Sequence, residues 1–177
     1  MRRLRVKMSS SIPEALTEMT AAVLTVSDSC ARGEKDLSGP AVSEVLERRG
    51  FRVVARGIVP DGCDIIQKKL IEMCSSARLV VTAGGTGIAP RDVTPEATRA
   101  VCEKLVEGIA QQMRSQGIRK TRFAALSRAV CGVRGTSLIL NLPGSPAGAV
   151  ESLEAVVDLL PHALELIAGK TEHERSR

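Results

Sequence analysis

The residues best suited to chemistry lie at 82–97, TAGGTGIAPRDVTPEA, directly behind the apolar run Leu79-Val80-Val81. Gly84, Gly85 and Gly87, with Thr86 among them, leave backbone N–H groups uncovered by side chains. Such a loop can wrap a phosphate or another compact anion. The charged pair Arg91-Asp92 follows, and Thr94-Pro95-Glu96 then reads as the opening of a helix. Threonine suits the N-cap, proline the first helical position and glutamate the positive end of the dipole. Strand, glycine loop and helix in that order make an oxyanion-binding site in an α/β protein.

Open parallel sheets bind ligands beyond the carboxyl ends of their strands, so the other strand-leaving loops are the test. Ser27 and Asp28, then Arg32, Asp36 and Ser38, follow the apolar run 21–26. Pro60-Asp61-Gly62 follows 51–59, and Asn141-Leu142-Pro143-Gly144-Ser145 closes 137–142. Each piece alone has a plainer explanation. Asp28 and Asp61 suit caps or turns, Pro143-Gly144 a turn, Ser127-Arg128 a surface ion pair, and the cysteines small core positions. Glycine or small polar residues on every carboxyl-end loop are what a single composite site would produce. The opposite loops, Gly50-Phe51 and 75–78, are short and lack that chemistry.

The elements that must position these loops follow from periodicity. Ser38-Gly39-Pro40 opens a helix whose Val42, Val45 and Leu46 share a face, and Arg48, Arg49 and Gly50 close it. A second helix is expected over 61–75, starting at Asp61 and burying Ile65, Ile66, Leu70 and Met73. A third is expected over 94–106, with a further helical piece at 109–113. A long helix is expected over 146–160, with Val150, Leu153, Val156 and Val157 inward, and Pro161 kinking or restarting it before 162–168. Alternation of strand and helix with short connections predicts an α/β fold, a mostly parallel sheet covered on both faces. The stretch 117–136 is the hardest to read. A short strand or hairpin at 128–134 would make the sheet mixed.

At 177 residues and 44% hydrophobic content the chain fits a single core. The expected division is an N-terminal extension over 1–19, one domain over 20–169 and a C-terminal tail over 170–177. No apolar run approaches the roughly 20 residues needed to span a bilayer, so no membrane partner is expected. Five dispersed cysteines without a C-x-x-C pair, and no signal peptide, suit reduced thiols and a cytoplasmic location. With only His162 and His173, Ser-His-Asp triads and His-rich zinc sites are excluded. Trp and Tyr are absent, leaving Phe51 and Phe123, so no aromatic platform exists for stacking bases. The net charge of +5 owes much to Arg2, Arg3, Arg5 and Lys7, and nucleic acid is not expected as the ligand. An enzyme with this inventory must work through carboxylates, backbone amides and a hard cation.

Three blocks, LTVSDSCARGEKDLSGP (24–40), TAGGTGIAPRDVTPEA (82–97) and SRAVCGVRGTSLILNLPGSP (127–146), resemble the signature stretches of the molybdopterin adenylyltransferases. That family includes the gephyrin G domain and belongs with the MoaB-like proteins, and the likeness spans about 20–168. The resemblance implies a three-layer α/β/α sandwich and a homotrimer. It also implies ATP-dependent adenylylation of the molybdopterin phosphate with magnesium, releasing pyrophosphate. The product would pass to a downstream molybdate-insertion enzyme. Carried over, the essential aspartates match Asp61 and Asp92, which would also hold the Mg2+. The substrate cleft would take Ser27, Asp28, Ser38, Gly84, Gly85, Thr86, Gly87, Arg91, Glu96, Ser127, Arg128, Asn141, Pro143, Gly144 and Ser145. The alternative is a MoaB-like molybdopterin-binding protein with little or no turnover.

Overall fold

The computed structural model describes residues 18–169. The expected tail over 170–177 and all but the last two residues of the expected extension lie outside the described residues. Glu18 and Met19 are tied to the sheet: the Met19 carbonyl accepts from the Arg52 N–H at 2.8 Å, and the Arg52 guanidinium meets Glu18 at 2.7 Å.

The strands are β1 (Thr20–Val26), β2 (Arg52–Val59), β3 (Leu79–Ala83), β4 (Lys104–Leu105), β5 (Cys131–Arg134) and β6 (Ser137–Leu142). They form one mixed sheet in the order β2-β1-β3-β6-β5-β4. The first four in that order run parallel, and β5 and β4 are antiparallel to their neighbours. The helices are α1 (Asp28–Ala31), α2 (Ser38–Arg48), α3 (Cys63–Cys74), α4 (Thr94–Val101), α5 (Glu107–Ile118), α6 (Pro146–Glu154) and α7 (Leu160–Ile167).

Side chains alternate between the two faces of a strand, and the central strands use both faces. Ala21, Val23, Leu79, Val81, Leu138, Leu140 and Leu142 pack with residues of α2, α5, α6 and α7. Ala22, Leu24, Val26, Val80 and Ile139 pack with residues of α3 and α4. Both faces are therefore dry, which is why these strands read as continuous apolar runs. The result is the expected α/β/α sandwich, and of the strand or hairpin expected at 128–134 the short strand β5 is found, antiparallel to β6 and making the sheet mixed.

Several boundaries differ from expectation for local reasons. The second helix begins at Cys63 behind an extended Gly62, so Asp61 stays in the loop, and Ile65 is exposed rather than buried. The third helix stops at Val101 because Cys102 turns extended. The edge of β5 then captures the chain: Glu103 N–H donates to Val133 and Val106 N–H to Cys131. That leaves Lys104–Leu105 as a strand where helix was expected. Thr94 is the first helical residue and Val93 the cap. The long C-terminal helix breaks after Glu154 into a 3-10 turn, Val157–Leu159, before α7 starts with Pro161 in its first turn. Proline cannot donate to a preceding turn and is tolerated only there. The piece expected at 109–113 is the middle of the longer α5.

Candidate functional site

The chain leaves β1 for β2 on one flank and later returns to the other flank with β3. That reversal opens a crevice beyond the carboxyl ends of β1 and β3, the place where such sheets bind ligands. The loops after β1, β2, β3 and β6 meet there.

Two aspartates lock the first two loops together. The Asp28 N–H donates to Asp61 Oδ2 at 2.9 Å, and the Asp61 N–H donates to Asp28 Oδ1 at 3.0 Å. Arg91 then grips Asp28 with both ends of its guanidinium, Nε to Oδ2 at 3.0 Å and Nη2 to Oδ1 at 2.8 Å. Hydrogen bonds from Arg91, then from the Asp61 backbone, hold the Asp28 carboxyl below its ordinary value. Asp61 behaves oppositely. Its removal from water, foremost, pushes its carboxyl up, with Asp28 and Asp92 adding like charge. Two carboxylates joined by reciprocal hydrogen bonds are thus driven apart in acidity by their surroundings.

Glycine is demanded where the third loop turns under these carboxylates. A Cβ on Gly84 would lie 2.1 Å from the Val26 carbonyl oxygen. A Cβ on Gly85 would lie 2.4 Å from Thr94 Oγ1 and 3.0 Å from Asp61 Oδ1. Gly85 also has φ +63°, a conformation glycine adopts without steric cost. Asp92 folds back onto its own loop, with Oδ2 accepting from the Ala89 N–H at 2.8 Å and close against Gly87. Thr94 Oγ1 is fully buried beside Gly85 and has no hydrogen-bond partner among the described residues.

The predicted residues divide into those that line the cleft and those that hold its walls. One lobe, about 350 Å³, is lined by Ser27, Ser38, Asp61, Gly84 and Asp92. The other, about 620 Å³, is lined by Thr86, Gly87, Ser127, Pro143 and Ser145. Gly85, Asp92 and Gly144 border both lobes, so the two lie side by side across them. Ser27 caps α1, Ser145 caps α6, and Ser38 Oγ donates to the Gly144 carbonyl at 2.7 Å. Arg128 is a strap. Its Nε donates to Gly87 O at 2.6 Å, its Nη2 to Asp92 O at 2.5 Å, and its Nη1 to Glu96. Partial burial would raise the Glu96 carboxyl, but the Arg128 hydrogen bond and charge outweigh it and hold the group low.

Asn141 sits beneath the cleft, fully buried. Its Nδ2 donates to Thr82 Oγ1 at 3.0 Å and Thr98 Oγ1 at 2.9 Å, while Oδ1 accepts from the Val130 N–H at 3.2 Å. These bonds join β6 to β3, α4 and the start of β5, so Asn141, Glu96 and Arg128 position the cleft through other residues.

Sequence reasoning missed most of the larger lobe's wall. Met113, Phe123, Ala124 and Leu126 line it, from α5 and the 3-10 turn Arg122–Leu126. They lie in or beside the stretch that carries no clear period. An apolar wall facing a polar glycine loop suits a flat heterocycle that ends in phosphate.

Fold and site together define an α/β protein with a glycine-lined cleft at a topological switch point. Comparison with known proteins narrows this. Residues 22–162 match the family described as "Probable molybdopterin binding domain". A Helicobacter pylori protein named molybdopterin adenylyltransferase is 45% identical over 152 residues, 83% of this chain and 86% of that protein. The Drosophila melanogaster molybdenum cofactor synthesis protein cinnamon is 44% identical over 156 residues, covering 86% of this chain and 26% of the fly protein. The chain therefore spans about a quarter of that relative and most of the bacterial one. The crystal structure of the molybdopterin biosynthesis enzyme MoaB from Thermus thermophilus superposes with TM-score 0.81 and 52% identity, over 86% of this chain and 98% of that one. This chain belongs to the molybdopterin-binding family, as the three sequence blocks implied.

Proposed function

We propose that this protein acts in molybdenum cofactor biosynthesis as a nucleotidyltransferase, moving the adenylyl group of ATP onto the terminal phosphate of molybdopterin. The observation that carries the reading is the junction of the two lobes, where Asp61 and Asp92 flank Gly85 and Gly87. A phosphate monoester has a second pKa of about 6, so the attacking oxygen is already ionised at neutral pH and needs no histidine. The difficulty is repulsion among several phosphates, answered by oriented N–H groups, cations and in-line positioning.

Among the described residues no three His, Cys, Asp or Glu side chains form a complete metal cage. The donor set fits magnesium nonetheless, because that ion takes one or two carboxylates and completes its shell with water and phosphate oxygens. Asp61 and Asp92 would hold it, next to the unpartnered Thr94 hydroxyl that lies beside Gly85. Bound there, it would offset phosphate charge. The chain's own groups do the rest: Arg91 fixes Asp28, Asp28 fixes the Asp61 loop, and Arg128 fixes the glycine loop. The larger lobe, with Phe123 and Leu126, holds a ring and keeps water from it. We further assign the protein to the cytoplasm, as a homotrimer that passes its product to a molybdate-insertion enzyme.

Asp92→Asn is the test of the site. Adenylyl transfer is lost while molybdopterin still binds; turnover at the wild-type rate would remove Asp92 from the mechanism. Light scattering on a sizing column checks the trimer.

A further inference from the structure

We propose that Lys35 is the residue that receives the leaving pyrophosphate. This rests on the adenylyl-transfer reading and adds a subsite to it. Lys35 lies on the loop between α1 and α2 and lines the smaller lobe with Ser27, Ser29, Asp61 and Gly84. Among the described residues lining that lobe it is the one cation.

Most other cations around the cleft are engaged, and Arg119, which has no side-chain partner among the described residues, borders the larger lobe instead. Arg91 is held bidentate by Asp28, Arg128 by Glu96 and two loop carbonyls, and Lys120 by Glu151 at 3.0 Å. Lys35 makes no ion pair or hydrogen bond among the described residues. Its neighbour Asp36 forms no ion pair with it: Asp36 Oδ2 accepts from Thr25 Oγ1 at 2.7 Å and Oδ1 from the Gly39 N–H at 3.0 Å. An unpaired lysine lining one lobe with hydroxyls and a bare glycine loop makes a phosphate-oxygen environment. The larger lobe, walled by Met113, Phe123 and Leu126, is the ring-binding side.

The step balances without a proton donor. A phosphate oxygen of the pterin substrate forms a bond to the α-phosphorus of ATP. The bond from that phosphorus to the α–β bridging oxygen breaks, and pyrophosphate departs with the electron pair. Total charge is unchanged, but it gathers on the leaving group, and Lys35 stands where that charge gathers. It touches the β- and γ-phosphates rather than the transferred one.

The test uses the full chain, wild type against Lys35→Ala and Lys35→Arg. Two readouts are taken: steady-state turnover with ATP, magnesium and molybdopterin, and calorimetric binding of magnesium pyrophosphate alone. Removing one charge-assisted contact at an exposed site is expected to raise KM for ATP and weaken pyrophosphate binding by about tenfold each. Lys35→Arg recovers most of both, and molybdopterin affinity and thermal midpoint stay at wild-type values. Unchanged pyrophosphate binding in Lys35→Ala, or no pyrophosphate binding by the wild type, overturns the proposal. Wild-type protein that binds pyrophosphate through Lys35 yet never releases it from ATP keeps the subsite and overturns adenylyl transfer instead.

Discussion

Gly85→Ala and Gly135→Ala form a matched pair that separates backbone strain from the geometry of the site. Both glycines are left-handed, at φ +63° and +54°. An alanine in that region costs about 1–2 kcal/mol at either position. Their surroundings differ completely. A Cβ on Gly135 meets nothing within 4 Å, whereas one on Gly85 lands 2.4 Å from Thr94 Oγ1 and 3.0 Å from Asp61 Oδ1. The Thr94 hydroxyl is fully buried at the first turn of α4, so it has nowhere to retreat. Overpacking of this kind adds about 1–3 kcal/mol. Gly135→Ala should therefore lose about 1–2 kcal/mol, and Gly85→Ala about 2–5 kcal/mol. Urea unfolding midpoints at constant slope read the difference. Pyrophosphate release should remain near wild type in Gly135→Ala and disappear in Gly85→Ala, because the methyl group displaces Asp61. Equal destabilisation of the two variants, or full turnover in Gly85→Ala, would refute the close packing of Gly85, Thr94 and Asp61.

Asn141→Leu removes three buried hydrogen bonds and strands the Thr82 and Thr98 hydroxyls; a loss of about 3 kcal/mol is expected by calorimetry. In Arg91→Ala the Asp28 carboxyl rises toward its ordinary value, read by its NMR titration. Because Asp28 is depressed in the folded state, its contribution to stability is present above the unfolded carboxylate pKa and disappears as pH falls through the lower folded one. The variant's acid unfolding should lose that dependence. Asp61 carries the opposite sign: its pKa is raised, so its favourable contribution exists below the unfolded pKa and vanishes as pH rises through the folded one. Asp61→Asn should then hold or slightly raise the thermal midpoint at neutral pH while abolishing turnover, and a large fall in the midpoint would contradict the assignment.

Much of this was readable from the sequence because the central strands are buried on both faces. Ala21 to Val26, Leu79 to Val81 and Leu138 to Leu142 appear as apolar runs, and the loops after them announce themselves through glycine, proline and aspartate. Boundaries were less legible where tertiary contacts decide them. Nothing local tells Cys102 to leave its helix; the open edge of β5 takes it, through Glu103 and Val106. Asn141 reads with the loop Asn141 to Ser145 and through the resemblance, whereas its buried partners Thr82 and Thr98 come from other elements and could not be read locally. The apolar wall of the larger lobe was hidden for a similar reason. Met113, Phe123 and Leu126 share no period, and only the packing of α5 against the following 3-10 turn brings them to one surface.

Transfer of label from α-phosphorus-labelled ATP to molybdopterin tests the central claim most directly. With magnesium present, the account predicts that the label moves onto the pterin with one pyrophosphate released per transfer, in wild type and not in Asp92→Asn. Tight molybdopterin binding with all label retained in ATP would contradict it, and would mark the protein as a pterin-binding member of its family without turnover.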